Sequence, residues 1–153
     1  MKYGFGIDLG GTTVKIAYFD ETGSMLQKWE IPTVTDGGGK QILPDIAASV
    51  RSFLITNKID SADILGMGIG VPGPVNAKGV VNRCVNLGWD VFNIAQELSD
   101  LTGLPTTLTA TGKVKKSDFD AVARTALNDG AIIVNPAQAD YEDILAILEE
   151  VWA

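Results

Sequence analysis

The decapeptide Gly6-Ile7-Asp8-Leu9-Gly10-Gly11-Thr12-Thr13-Val14-Lys15 joins two β-favouring runs, Tyr3 to Ile7 and Val14 to Phe19, through a turn of two glycines and two threonines. So short a polar link makes the two runs lie antiparallel, as a hairpin. At its tip the glycines leave backbone N–H groups open to an approaching phosphate, the Thr12 and Thr13 hydroxyls add donors, and Lys15 adds a positive charge. Asp8, at the end of the first strand, is placed to hold a metal-bound water beside such a phosphate. The same residues also suit an ordinary Gly-rich hairpin in which Asp8 and the threonines only satisfy turn hydrogen bonds. A bare Asp-x-Gly-Gly pattern favours that simpler reading.

The rest of the first two thirds extends the hairpin into an α/β pattern. Strands are predicted over about 2–8, 13–20 and 25–33, linked by Gly10 to Thr12 and by Asp20 to Ser24, and such short links imply antiparallel neighbours. Pro32 and the Asp36-Gly37-Gly38-Gly39 cluster end this meander; the glycine triplet reads as a plain flexible connector, with a mobile phosphate-proximal loop as the alternative. Ile42, Ile46, Val50, Phe53 and Leu54 then fall on one helical stripe, with Pro44 tolerated in the first turn. Ile64 to Val71 reads as a fourth strand whose glycines signal close approach by another element or a ligand. It runs into the stiff turn Pro72-Gly73-Pro74, at the strand end where α/β sheets tend to bind ligands. Asn76 to Asn82 reads as a β-turn excursion. The amide of Asn86 can hydrogen-bond a ligand hydroxyl or cap its own loop, and Asp90 is the expected N-cap of a helix ending at Gly103.

Composition narrows the function classes. The 153 residues suit one domain with a sizeable core, and 46% hydrophobic with 20% charged residues is the balance of a soluble globular protein. A net charge of -7 with no cluster of Lys or Arg argues against nucleic acid and against a membrane surface as partner. The longest apolar run is far short of a bilayer span and no signal-peptide core opens the chain, so a cytoplasmic protein is expected. One cysteine, Cys84, excludes an internal disulfide and reads as a small buried or half-buried residue; without histidine the usual zinc ligand sets are unavailable.

Three motifs in order, Gly6-Ile7-Asp8-Leu9-Gly10-Gly11-Thr12-Thr13, Gly68-Ile69-Gly70-Val71-Pro72-Gly73-Pro74 and Asn86-Leu87-Gly88-Trp89, resemble the N-terminal lobe of a bacterial glucokinase of the ROK family (repressors, open reading frames, kinases). The resemblance covers Met1 to about Pro105. It implies an actin-like, ribonuclease H-like fold, with a mixed sheet of about five strands, an antiparallel meander first, and covering helices. It also implies ATP with Mg²⁺ as cofactor, with Asp8, Gly10, Gly11, Thr12, Thr13 and Lys15 on the phosphate side. Gly73, Pro74 and Asn86 fall on the sugar side of the same cleft. No iron or zinc site is implied for this chain.

At Pro105 the resemblance breaks. A family member continues with a short strand and an Asn-Asp-Ala-Asn segment whose aspartate is the base for the sugar hydroxyl, whereas this chain has no acidic residue between Pro105 and Asp118. Composition shifts there too, since 15 of the 17 glycines lie in residues 1–105. The tail resembles instead the C-terminal end of the iron-dependent alcohol dehydrogenases, in Leu104-Pro105-Thr106-Thr107-Leu108, Asp118 to Ala123, Ala126 to Ala131, Asn135-Pro136, Glu142 to Leu145 and Trp152. That family's metal ligands and nucleotide-binding glycines lie upstream of this segment and do not carry over.

A chimera of two fragments is therefore expected, forming a single domain over 1–153 in which 106–153 completes the fold. Thr106 to Thr111 is β-branched enough for a fifth strand, Ser117 can cap a helix bearing Phe119, Val122, Ala123, Ala126 and Leu127, and Asp140 can cap a last one bearing Tyr141, Ile144, Leu145, Leu148 and Trp152. Two functions follow from these resemblances. One is an inactive scaffold with at most weak phosphate or nucleotide binding and a tendency to form a homodimer or exchange its C-terminal helices. The alternative is an ATP-dependent sugar kinase acting on glucose.

Overall fold

The computed structural model describes residues 1–76, 78–104, 106, 107, 109, 112, 114–128, 139–150 and 152. They fall into two compact units, Met1–Leu104 and Pro105–Ala153.

The first unit is built on three antiparallel strands, β1 (Tyr3–Leu9), β2 (Thr13–Asp20) and β3 (Met25–Pro32), and on β4 (Ile64–Gly70), which pairs parallel with β1. Helix α1 (Ile42–Asn57) lies between β3 and β4 in the chain, and the sheet order is β3-β2-β1-β4. Strand alternation decides what each face carries. Phe5, Ile7 and Leu9 stand opposite Tyr18, Ile16 and Val14 in register and are all buried on one face. Against that face α1 sets Ile42, Leu43, Ile46 and Val50, each buried in the same core. Phe53 stacks on Trp29 at 4.6 Å between ring centres, and the Trp29 indole N–H donates to Ser49 Oγ at 2.9 Å. The stripe read from sequence is thus the one that packs, with Pro44 inside the first turn where its missing N–H costs nothing.

Beyond β4 the chain turns back on itself. Asn76 organises the excursion: its Oδ1 accepts from the N–H groups of Lys78 and Val80, both at 3.0 Å. Two short strands, β5 (Val80–Val81) and β6 (Phe92–Asn93), pair antiparallel around a 3-10 turn at Val85–Leu87, and α2 (Ile94–Thr102) follows. The N-cap of α2 is Asn93, whose Oδ1 accepts from Gln96 N–H at 2.9 Å, and not Asp90. Phe92–Asn93 is drawn into the small sheet, which delays the helix start, and Asp90 pairs with Arg83 at 3.5 Å in an exposed contact. Cys84 is buried, as its type suggests, and its Sγ–H points at the Pro72 carbonyl over 3.2 Å.

The glycine triplet is not a flexible connector. Gly37, Gly38 and Gly39 all hold positive φ, and a Cβ on Gly39 would sit 2.3 Å from the Leu87 carbonyl oxygen. The loop is fixed by packing that only glycine permits.

The second unit contains α3 (Phe119–Leu127) and α4 (Tyr141–Glu150), the expected C-terminal helix pair. Asp140 caps α4 as predicted: its Oδ1 accepts from Asp143 N–H at 3.0 Å while Asp143 Oδ2 accepts from Asp140 N–H at 2.9 Å. At α3 the expectation fails, because a 3-10 turn at Lys116–Asp118 precedes the helix and Asp118, not Ser117, takes the Lys115 N–H at 2.9 Å. Tyr141, Ile144, Leu145, Leu148 and Trp152 are all half-buried, and Trp152 meets Phe119 edge-on at 5.5 Å. A fifth strand over Thr106–Thr111 is not formed by its described residues: Thr106 and Thr107 are bends and Thr109 is in a 3-10 turn. Threonine favours strands only where a pleated neighbour packs on it, so propensity alone does not make these residues a strand. Among the described residues the main sheet has four strands. Pro105, Leu108, Ala110 and Thr111, and the Asp129–Ala131 and Asn135-Pro136 parts of the tail motifs, lie outside the described residues.

Candidate functional site

The Gly10–Thr13 tip is held by its own backbone and by one residue from β3's end. Gly10 N–H donates to the Thr13 carbonyl at 3.0 Å, Thr33 N–H to the Thr12 carbonyl at 2.9 Å, and Thr33 Oγ1–H to the Gly10 carbonyl at 2.8 Å. Thr33 thus fixes the carbonyl side of the tip. Gly11 and Thr12 are exposed, and their N–H groups and the Thr12 hydroxyl are without an acceptor among the described residues.

The two glycines serve different ends. A Cβ on Gly10 would lie 2.9 Å from the Thr13 carbonyl oxygen, so the tight turn itself needs glycine there. Nothing lies within 4 Å of a Cβ on Gly11, so no neighbour in the structure asks for glycine there. Neither has positive φ, so it is space and not handedness that asks for glycine.

Beside the tip the sheet register brings charges into a row. Asp8 is the cross-strand partner of Lys15 in β2, Lys15 that of Glu30 in β3, and Asp8 lies beside Gly70 in β4. All three charged side chains are exposed, on the face opposite α1. Below this row the same face is nearly bare: Gly6 is opposite Ala17, and the Phe19 ring leans over Gly6 so closely that a Cβ there would be 3.1 Å from it. Asp8, Lys15, Ala17, Phe19, Lys28 and Glu30 line an open cleft of about 540 Å³ over this surface. Lys28 and Glu30, like Thr33, escaped sequence reading; the signal that finds them is the β2–β3 register, which composition does not give.

Because β1 and β4 are parallel neighbours, the Gly10 tip and the Pro72–Pro74 turn leave the same end of the sheet. Gly73 is pressed against Cys84, where a Cβ would be 3.4 Å from the Cys84 Cβ, and Pro74 is exposed with its carbonyl accepting from Asn82 N–H at 2.9 Å. Asn86 is exposed in the Val85–Leu87 turn, and its side chain has no hydrogen-bond partner among the described residues. It does not cap its own loop. Asp8 and Lys15 share one cleft, while Gly73, Pro74 and Asn86 do not line it. A second cleft, of about 320 Å³, lies between the glycine triplet and Trp89, with Lys40, Asp90 and Glu97 at its walls.

This donor set fits a phosphate: two free amides, hydroxyls and one lysine, with space over Gly11. For Mg²⁺ it offers the Asp8 carboxylate, a hard oxygen able to act directly or through water, in the way this ion is held when phosphates supply other ligands. Among the described residues no three acidic or cysteine side chains gather to hold a metal on their own. No helix of the described residues is long and apolar enough to cross a membrane.

The profile of the ROK family matches residues 4–113, more than two thirds of the chain and past Pro105. A glucokinase of Halalkalibacterium halodurans is 37% identical over 101 residues, which are 65% of this chain and 31% of that protein. Among solved structures, a ROK family glucokinase from Streptomyces griseus in complex with glucose and AMPPNP superposes with a TM-score of 0.55 at 26% identity, covering 67% of this chain and 31% of that one. An inorganic polyphosphate/ATP-glucomannokinase from Arthrobacter gives a TM-score of 0.58 at 25% identity, covering 69% and 42%. The chain spans about a third of the length of the curated relatives it matches. With the Gly10–Thr13 hairpin, the parallel β1–β4 pair and the profile match in agreement, the chain belongs to the ROK family.

Proposed function

We propose that this chain is a ROK glucokinase-type lobe whose hairpin tip keeps a weak affinity for phosphate or nucleotide, joined to a tail of iron-dependent alcohol dehydrogenase type, and that it does not itself turn over sugar. The observation that supports anion binding is the tip: Gly11 and Thr12 are exposed and their amides have no acceptor among the described residues, near Lys15 and Asp8. With ATP and Mg²⁺, these residues would hold the phosphates and the ion's water shell. Phosphoryl transfer also requires a positioned hydroxyl and a base to take its proton. Between Pro105 and Asp118 the chain has no carboxylate to act as that base. Gly73, Pro74 and Asn86 would face a sugar in this reading, and Asn86 keeps a free amide for it. Self-association, as a homodimer or by exchange of α3 and α4, and a cytoplasmic setting belong to the same proposal.

The test is a titration of the full chain with pyrophosphate and with ATP-Mg²⁺, followed by amide chemical shifts, beside a coupled assay for ADP release with glucose. One or two exposed charge-assisted bonds contribute roughly 1.5–3 kcal/mol each before association entropy is subtracted, which leaves millimolar binding. Small, salt-sensitive shifts confined to Gly10–Lys15 and diminished by Lys15→Ala, with no glucose-dependent ADP release, are expected. Shifts that map elsewhere would refute the phosphate-tip reading. Glucose-dependent turnover abolished by Asp8→Asn would establish the sugar kinase instead.

A further inference from the structure

Thr33 bonds to the hairpin tip twice, and each bond fixes a peptide plane. Its hydroxyl donates to the Gly10 carbonyl at 2.8 Å and its N–H to the Thr12 carbonyl at 2.9 Å. In a trans peptide the C=O and the N–H that follows it point in opposite directions, and among the described residues no peptide bond is cis. A Gly10 carbonyl turned towards Thr33 therefore turns the Gly11 N–H away from it. The Thr12 carbonyl directs the Thr13 N–H in the same manner. Glycines stand on both sides of the first of these planes, so the chain by itself sets little preference for its direction. Thr33 is held in turn from both ends. Pro32 before it is the cross-strand partner of Thr13, and the loop after it is tied at Gly39, whose N–H donates to the Thr35 carbonyl at 3.0 Å and whose carbonyl accepts from Trp89.

We infer that Thr33 is a positioning residue for the anion site: its hydroxyl locks the Gly10–Gly11 peptide so that the Gly11 N–H is presented to a phosphate, while Thr33 itself does not touch the phosphate. The inference rests on phosphate binding at the tip and adds to that site a residue outside the Asp8–Lys15 motif. An amide that is already oriented avoids the ordering that a free peptide plane undergoes on binding, so the hydroxyl raises affinity. The backbone N–H of Thr33 cannot replace it, because that group is engaged with the Thr12 carbonyl and governs the other plane.

Thr33→Val removes the hydroxyl but keeps the branched shape and the backbone N–H, Thr33→Ala repeats the deletion with a smaller side chain, and Thr33→Ser keeps the hydroxyl. The full chain and each variant are titrated with pyrophosphate and followed by amide chemical shifts. N–H residual dipolar couplings of Gly11 and Thr13 are measured without ligand. Loss of the hydroxyl should weaken pyrophosphate binding about fivefold and change the Gly11 coupling. The Thr13 coupling should hold, because the bond to the Thr12 carbonyl remains. Thr33→Ser should restore both the affinity and the Gly11 coupling. A residue needed only for stability would lower the urea midpoint without moving the affinity of the folded chain or separating Gly11 from Thr13. Unchanged affinity or an unchanged Gly11 coupling in the variants without the hydroxyl overturns the positioning role and leaves phosphate binding intact. So does a Thr33→Ser protein that binds as weakly as they do. If the Gly10–Lys15 amides of the unmodified chain ignore pyrophosphate, phosphate binding at the tip is overturned and the positioning role falls with it.

Discussion

The indole N–H of Trp89 donates to the carbonyl of Gly39 at 3.0 Å, tying the glycine triplet to the Asn86–Trp89 motif across 50 residues of chain. Both residues are buried, so neither polar group has water to fall back on. The contact makes one wall of the first unit out of two loops, and the Gly39 backbone, at φ 66, is shaped for it.

Gly39→Ala should be among the most damaging single changes in this chain. An alanine there carries the left-handed backbone penalty of about 1–2 kcal/mol and, on top of it, overpacking of about 1–3 kcal/mol against the Leu87 carbonyl. Trp89→Phe keeps the ring but leaves the Gly39 carbonyl without its donor, at about 1–3 kcal/mol. Urea unfolding should show both as lower midpoints with an unchanged slope, Gly39→Ala the lower of the two. A Gly39→Ala protein of wild-type midpoint would mean the triplet is the loose connector its composition suggests.

The two glycines of the hairpin tip should respond in opposite directions. Gly10→Ala forces its Cβ or the Thr13 carbonyl to move and should cost about 1–3 kcal/mol. Gly11→Ala meets nothing and, by narrowing the unfolded chain's freedom, should be neutral or stabilising by about 0.4–1 kcal/mol. Its methyl nevertheless stands near the open amides, so phosphate-induced shifts should shrink while stability holds. Equal losses of stability in the two variants would contradict the tip geometry.

Much of this fold is legible in the sequence where one local rule decides. The three meander strands follow from alternation and turn residues, α1 from its apolar stripe, and the α4 cap from the Asp140–Asp143 spacing. Cys84 is buried as its type suggests. What stays hidden depends on partners distant in sequence. Asp90 looks like a cap, but pairing of Val80-Val81 with Phe92-Asn93 moves the helix start to Ile94. The triplet looks loose, but Trp89 and Leu87 fix it. Thr106, Thr107 and Thr109 look like strand residues by propensity, and propensity is decided by what packs alongside. In the site, Asp8, Gly10 and Gly11 are legible as a motif, whereas Thr33, Lys28 and Glu30 enter only through strand register.

In the second unit, Asp140→Ala should remove one half of the reciprocal cap on α4 and lower stability by about 0.5–2 kcal/mol. Asp143→Ala removes the other half. Because the pair acts as one device, the double variant should lose less than the sum of the two single ones. Amide exchange in the first turn of α4, which begins at Tyr141, is the direct readout. Unchanged exchange there in Asp140→Ala would show that the helix start is held by packing alone.

Tyr18 makes the pH dependence of the first unit predictable. Its hydroxyl is buried on the α1 face with no hydrogen-bond partner among the described residues. Burial first, and the neighbouring Tyr3 second, push its pKa from 10.0 up to about 12. A pKa higher in the folded than in the unfolded chain means that the neutral hydroxyl favours the folded state. That contribution is fully present below pH 10 and is lost as pH rises towards 12. Alkaline unfolding should therefore steepen across this window. Tyr18→Phe removes both the titrating group and the unpaired hydroxyl, so it should leave stability at neutral pH unchanged or raised and should flatten the alkaline limb. Ring packing against Tyr3 at 4.9 Å and Phe5 at 5.3 Å is kept in that variant, which separates the titration from loss of core contacts. Urea midpoints measured from neutral pH to 12 give the comparison. If the Tyr18→Phe curve runs parallel to that of the unmodified chain through the alkaline range, another group governs the transition.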